Sequence, residues 1–309
     1  MKVLVLMSTY NGDRYLREQI DSILHQEGVE VSLLIRDDGS KDQTSDILKD
    51  YQSRYPTICI ELGENKGCTE SFRWLLIAAY DKIEAFDYFA FCDQDDVWLP
   101  NKLDVACRKL AREGLMKPCM YCSNLRVVDS QLRTINMKWK TAEPFITKGQ
   151  SLVCSMATGC TMVFNKTVIE TFHKYPPKKM HIHDLWIMHM CMFLGKIHYD
   201  SESYILYRQH GNNVIGAKTT LSARLRSKWK SIHHLFDQHQ NEQEAKELLS
   251  TYGTLLSEDD LKLIKTVANY KDCLRNRFKL LMCLGKECSQ VNRKEGNFWL
   301  KMRIILGIV

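Results

Sequence analysis

The sequence of 309 residues has no apolar run long enough to span a bilayer, no internal repeat and no low-complexity linker. The first absence argues against a transmembrane helix. The other two leave one large domain or two small ones as the expected organisation. Proline is scarce, with 6 in the chain, and none follows Pro177, so nothing breaks a helix in the last third. A leader is not expected. The apolar start Met1–Met7 gives way to Ser8-Thr9-Tyr10-Asn11 too early for the core of a signal peptide, so the expected compartment is the cytosol. Cysteine is not scarce, at 12, but it forms no framework. Cys92, Cys154, Cys160 and Cys191 sit inside apolar runs and are read as reduced core thiols. Cys119 and Cys122 have the spacing of a zinc half-site, but no second Cys or His pair stands at finger distance, which excludes zinc there.

What the sequence does have is the composition of a globular protein with a sizeable core. It is 45% hydrophobic, 26% charged and 10% aromatic, which excludes disordered, collagen-like and disulfide-scaffold classes. The net charge of +6 is unevenly placed. Residues 218–309 hold 17 Lys and Arg against 10 Asp and Glu, whereas residues 1–217 hold 26 against 27. A basic C-terminal part suits a phosphate-rich partner or the anionic inner leaflet of a membrane.

The first two thirds alternate strand and helix patterns. Lys2–Met7, Val31–Ile35, Thr57–Leu62 and Tyr88–Cys92 read as strands, with Cys119–Cys122 as a fifth. Between them, Tyr15–His25, Ser45–Tyr55, Thr69–Ile83 and Lys102–Ala111 read as helices. This order predicts an α/β fold with a doubly wound, mostly parallel sheet. Further on, Ala157–Phe164 reads as a strand, Asn165 as the cap of the next helix, His183–Leu194 as a helix and Ser203–Tyr207 as a strand. From about Thr219 the chain is helical by composition. The expected domains are therefore 1–217 (with 1–100 and 101–217 as its two parts) and a basic helical region, 218–309.

Three polar clusters fall at the carboxyl ends of predicted strands: Ser8–Asn11, Asp37–Ser40 and Asp93–Asp96. In open α/β sheets that edge is where ligands bind. Asp93-Gln94-Asp95-Asp96 is the sharpest of the three. Its carboxylates repel one another unless a cation or solvent relieves them, and hard oxygens suit Mg²⁺ or Mn²⁺. A solvated acidic turn is the competing reading, against which stands the apolar Trp98-Leu99-Pro100 directly after it. Asp37-Asp38-Gly39-Ser40 is either a plain turn or an acceptor for a ribose or base. Asp184, at the predicted start of a helix beside His181, His183 and Trp186, is either a cap or a base projecting into a cleft. Arg208 and His210 lie in a loop that either brings them to a phosphate and a metal or carries a lone histidine.

Taken together these stretches resemble family 2 glycosyltransferases of the GT-A fold. The resemblance rests on Val3–Gly12, Arg36–Asp42, Asn65-Lys66-Gly67 and Phe91–Trp98, in that order. Asp-Gln-Asp-Asp-Val-Trp-Leu-Pro-Asn-Lys-Leu, together with His183–Trp186 and Tyr207–Gly216, resembles the bacterial rhamnosyltransferase branch. The resemblance covers about residues 2–216; the region beyond carries no assignable motif. It implies an inverting, metal-dependent transfer from a nucleotide-sugar, dTDP-rhamnose or a UDP-sugar, to a glycan or lipid-linked acceptor, with Mn²⁺ or Mg²⁺ as cofactor. Ser8, Tyr10, Asp38, Asn65, Gly67 and Asp93 would hold the nucleotide-sugar. Asp95 and His210 would hold the metal, and Asp184 would be the catalytic base. Trp98, His183, Trp186 and Arg208 would line the acceptor or sugar pocket. The family often has Glu-Asp where this chain has His183-Asp184. Two alternatives remain: a UDP-glucose or UDP-galactose donor, and a nucleotide-sugar-binding subunit without turnover. Nucleic acid is not an expected partner, because the cleft is acidic. The expected location is the inner face of the cell membrane, peripherally held by the basic region and by Phe298–Val309.

Overall fold

The computed structural model describes residues 1–112, 116–137, 147–153, 157–210, 240–272, 274–288 and 305, with backbone alone for 283–288. The described chain forms two compact units. The first comprises residues 1–143, 157–176 and 182–209; the second comprises 144–156, 177–181 and 210–309. The boundary expected near 215–220, the loop residues 211–216 and, apart from Ile305, the tail 298–309 lie outside the described residues.

The first unit is built on strands β1 (Lys2–Thr9), β2 (Glu30–Asp37), β3 (Ile58–Leu62), β4 (Tyr88–Cys92), β5 (Val97–Trp98), β6 (Cys119–Val128), β7 (Thr134–Met137), β8 (Val163–Asn165) and β9 (Lys196–Arg208). They form a single sheet in the order β3-β2-β1-β4-β8-β6-β9-β5, with β7 paired to β6. β1 runs parallel to both β2 and β4, and β2 parallel to β3. The crossovers are helices α1 (Asp13–Leu24), α2 (Thr44–Arg54) and α3 (Cys68–Tyr80). Every residue of β4 is buried, as a central strand covered on both faces requires. α1 shows the complementary pattern: Leu16, Ile20 and Ile23 recur at helical spacing and are fully buried. α4 (Lys102–Leu110), α6 (Lys166–Lys174) and α7 (His183–Leu194) complete the unit.

The second half of the sheet differs from the expected one. Of the predicted strand 157–164 only Val163 and Phe164 lie in a strand, β8, which runs antiparallel to both β4 and β6. Gly159–Thr161 instead forms a 3₁₀ turn. The Thr161 amide and hydroxyl both donate to the Thr158 carbonyl, at 2.8 and 2.7 Å, so threonine chemistry closes the turn that a strand would have needed open. Asn165 precedes α6 but does not cap it. Its side chain accepts from the Cys119 amide at 3.0 Å and donates to the Lys117 carbonyl at 2.8 Å, tying β6 to β8. β6 and β9 are longer than their local patterns suggest, because they pair in parallel from Cys119–Lys196 to Val128–Arg208.

In the second unit are α5 (Lys148–Ser151), α8 (Gln240–Tyr252), α9 (Glu258–Ala268) and α10 (Leu274–Cys288). Leu248, Tyr252, Ile264, Val267, Tyr270 and Leu280 form its interior. Ser257 caps α9 by accepting from the Asp260 amide at 3.2 Å, and Lys148 reaches both Asp260 oxygens at 2.8 Å.

Candidate active site

The site is assembled at the carboxyl ends of β1, β2 and β4, where the strand register forces the chain into loops. At the end of β2, Asp37 is 3% exposed and accepts from the Thr9 hydroxyl and from both the amide and hydroxyl of Ser40. Asp38 pairs with the buried Arg36 guanidinium and accepts from the amides of Lys66 and Gly67 at 3.0 and 2.8 Å. Burial alone would raise its proton affinity. The Arg36 and amide hydrogen bonds outweigh that and hold the carboxyl below its usual range. Asp38, expected to face the nucleotide, anchors the loop that carries the exposed Asn65 and the half-buried Gly67. Arg36 was not singled out from the sequence; its partner lies two residues on, and only the fold buries both.

The β1 loop is clasped to the acidic turn by Gln94. Its side-chain oxygen accepts from the Tyr10 amide at 2.8 Å and its amide donates back to the Tyr10 carbonyl at 3.0 Å. The Tyr10 ring remains 43% exposed, open to a ligand. A Cβ at Gly12 would fall 2.1 Å from the Gln94 oxygen, so this clasp requires glycine there. Ser8 donates to Ser71 at 2.7 Å, joining β1 to α3.

Within Asp93–Asp96 the carboxylates have different surroundings. Asp96 is fully buried; it accepts from the Arg208 amide at 3.0 Å. Burial and the charges of Asp95 and Asp93 push its proton affinity well up. Asp93 is half-buried, and desolvation with the Asp95 and Asp184 carboxylates pushes it up to about 7. Ligand atoms of Asp93, Asp96 and Cys160 lie within 4.8 Å of one another. Burial, Asp96 and Asp93 keep the Cys160 thiol protonated, so it offers little to a hard cation. The half-buried carboxylates, Asp93 and Asp95, fit a divalent ion better: they supply oxygen, and the repulsion that Asp95 exerts on Asp93 is what such an ion relieves.

Behind the turn stand two cations. Lys102 is 1% exposed, its ammonium 3.4 Å from the centroid of the Trp98 ring, and burial lowers it to about 8. Arg208 is 2% exposed and donates to the Asp95 and Ser130 carbonyls at 2.9 Å and to Glu18. Arg208 and Trp98 were expected to line the pocket; both are buried, Arg208 bracing the acidic turn and Trp98 packing against Lys102. Trp186 is likewise fully buried, in the core of α7. His210 opens the last segment of the second unit, 210–309.

Asp184 stands in the first turn of α7. One carboxylate oxygen accepts from the Leu185 amide at 2.7 Å, the other from the Gly159 amide at 3.1 Å. The residue stays partly exposed. His183 beside it is 7% exposed, stacked on Phe72 at 3.8 Å and edge-on to Phe91 at 5.0 Å. Burial lowers it to about 4, so it is a neutral wall and not a second acid. Gly159 makes this possible. A Cβ there would lie 2.9 Å from the His183 Nε2 and 3.4 Å from the Asp184 Cβ. Gly159→Ala should therefore leave the fold intact and displace Asp184. Because a misplacement of about 1 Å costs on the order of 10²-fold, turnover should fall by about that factor. Steady-state kinetics beside a melting curve tests this; wild-type kcat would show that the loop absorbs the methyl. Sequence alone offered no sign of Gly159, whose need comes from a helix far along the chain.

The three loops face one place. The Cys68 thiol at the start of α3 is pushed up to about 12 by desolvation of its sulfur and by the carboxylates of Asp93, Asp184 and Asp38, although the residue as a whole is exposed. The charges of carboxylates from β2, the turn after β4 and α7 are thus all felt at this thiol.

Comparison with known proteins gives the same picture. The family described as glycosyl transferase family 2 matches residues 4–172. A dTDP-rhamnosyl transferase, RfbG, of Shigella flexneri is 29% identical over 245 residues, covering 72% of this chain and 80% of that protein. An uncharacterized glycosyltransferase of a Nostoc species is 30% identical over 233 residues, covering 72% and 69%. Among solved structures, S. aureus TarS 1–349 in complex with UDP-GlcNAc superposes with a TM-score of 0.59 at 16% identity, covering 87% of this chain and 72% of that one. The fold is GT-A, and with more than half its length inside the family's bounds, the chain belongs to glycosyl transferase family 2.

Proposed function

We propose that this glycosyltransferase moves L-rhamnose from dTDP-rhamnose, with inversion, onto a cell-surface polysaccharide or lipid-linked glycan at the cytoplasmic face of the membrane. The observation that carries the reading is the partly exposed Asp184 carboxylate, held at the start of α7 by the Gly159 and Leu185 amides at 3.1 and 2.7 Å. Ser8, Tyr10, Asn65 and Gly67 would line the nucleotide side, with Asp38 shaping their loop. Asp93 and Asp95 would hold Mg²⁺ or Mn²⁺, which when bound offsets the charge growing on the departing diphosphate. Asp184 accepts the proton of the acceptor hydroxyl as that oxygen attacks the anomeric carbon from the face opposite the leaving group. The Gly159 amide holds the carboxylate in place without making it a cap alone, and neutral His183 adds no competing positive charge.

The Shigella relative supports rhamnose, whereas the TarS complex with UDP-GlcNAc supports a UDP-sugar as the second reading. A panel of dTDP-rhamnose, UDP-glucose, UDP-galactose and UDP-GlcNAc separates them. dTDP-rhamnose should be consumed fastest, by a margin that depends on the divalent ion. Consumption of a UDP-sugar alone would transfer the proposal to that donor. Calorimetric binding of a donor with no turnover of any would make the protein a binding subunit.

A further inference from the structure

The apolar residues of α10 divide between two faces. Leu280 is fully buried, whereas Leu274, Phe278 and Met282 are 79%, 64% and 58% exposed. Spaced by four, they form one row along the helix. Arg275 and Lys279, also exposed, form a second row beside it. Ile305, 51% exposed, meets the same helix, for its carbonyl accepts from Arg277 at 3.1 Å. A contiguous row of this kind is uncommon on a surface meant only for water, and its polar flank is all of one sign.

We propose that this face of α10 lies on an anionic lipid surface. The binding stands on the residues alone; only its purpose, access to a lipid-linked acceptor, rests on the function proposed above. Charge selects the occupant. Residues 274–288 contain Arg275, Arg277, Lys279 and Lys286 against Glu287, within a region that carries an excess of seven cations. A second copy would bring like charges together across the contact, which opposes pairing. A nucleic acid would satisfy the cations and leave Leu274 and Phe278 without an apolar partner. An interface of anionic headgroups over acyl chains takes both rows at once: the apolar one sinks and the basic one meets the headgroups. Among the described residues no helix is long and apolar enough to cross a membrane, so the contact lies in the plane of the surface.

The test is flotation of the full chain with vesicles of phosphatidylcholine, with and without phosphatidylglycerol. The wild type should float with the anionic vesicles and release in high salt. The variant Leu274→Gln, Phe278→Gln, Met282→Gln alters exposed side chains to good helix formers and should partition about tenfold less or worse. Lys279→Glu should weaken binding by about fivefold or more. Equal flotation of wild type and triple variant, or no flotation of the wild type, overturns the inference. So does a wild-type dimer that the triple variant dissolves without any vesicle binding, which would assign the face to a second copy. Donor turnover measured without vesicles keeps the two proposals apart. Turnover retained in a triple variant that no longer floats supports this inference independently. Wild-type flotation that the triple variant loses, with no turnover in either protein, counts against the transferase reading and leaves this one standing.

Discussion

Asp184→Asn should lower kcat by about 10²–10⁴-fold while donor affinity stays within about twofold of wild type. The substitution is nearly isosteric. An asparagine oxygen can still accept from the Gly159 or Leu185 amide, which the Asp184 carboxylate does at 3.1 and 2.7 Å. Position is therefore kept while the ability to take up a proton is lost. A side chain acting only as a cap would show the opposite pattern, with some loss of stability, about 1 kcal/mol, and none of rate. Calorimetry of donor binding, a melting curve and turnover on the same preparation separate the two. A mutant with wild-type kcat would return Asp184 to the helix it starts.

Much of the N-terminal half of the fold was legible because its elements are locally determined. β1 and β4 are built on continuous apolar runs, β2 on Leu33-Leu34-Ile35, and α1 carries its buried residues at helical spacing. The expectation for β4 coincides with the observed strand, Tyr88–Cys92. The other half was less legible because its elements depend on distant partners. β8 is three residues long and owes its existence to β4 and β6. β9 extends to Lys196 because β6 lies parallel to it. The same division holds at the site. Acidic residues after a strand or at the start of a helix are visible as a pattern, so Asp93, Asp95 and Asp184 could be named. Which polar residues the fold then buries is not visible. Asp38 was read as a ligand for a nucleotide, and the structure occupies it with Arg36, Lys66 and Gly67. Arg208 and Trp98 carried the look of pocket residues, since guanidinium and indole bind sugars and phosphates well. Both are 2% exposed; the Arg208 guanidinium donates to the Asp95 carbonyl and its amide to Asp96, whereas the Trp98 ring packs on Lys102. Gln94 was quoted only as the spacer of an acidic motif, yet it clasps the loop after β1 to the turn after β4. Gly12 gave no signal of its own because its need arises from that contact.

Asp95→Asn should abolish the part of the activity that responds to divalent ions, a loss of about 10²-fold or more. Removing even a partner one shell outside a metal costs about 10–100-fold, and a direct ligand should exceed that. The residue lies on a turn at the sheet edge and is partly exposed, so the fold should survive the change. The electrostatics supply a second readout. Desolvation, Asp95 and Asp184 raise Asp93 to about 7. Below that value a proton occupies Asp93 and a cation must displace it. Apparent Mn²⁺ affinity in the wild type should then weaken by about tenfold for each pH unit below the Asp93 value and level off above it. Asp95→Asn deletes one of the negative charges that disfavour the Asp93 carboxylate. The sign is therefore fixed: the residual pH dependence of the mutant should move to lower pH. Manganese titrations followed by water proton relaxation at several pH values, beside transfer assays with and without EDTA, measure both effects. Wild-type activity that persists undiminished in EDTA, or an Asp95→Asn enzyme with full manganese response, would remove Asp95 from the metal site.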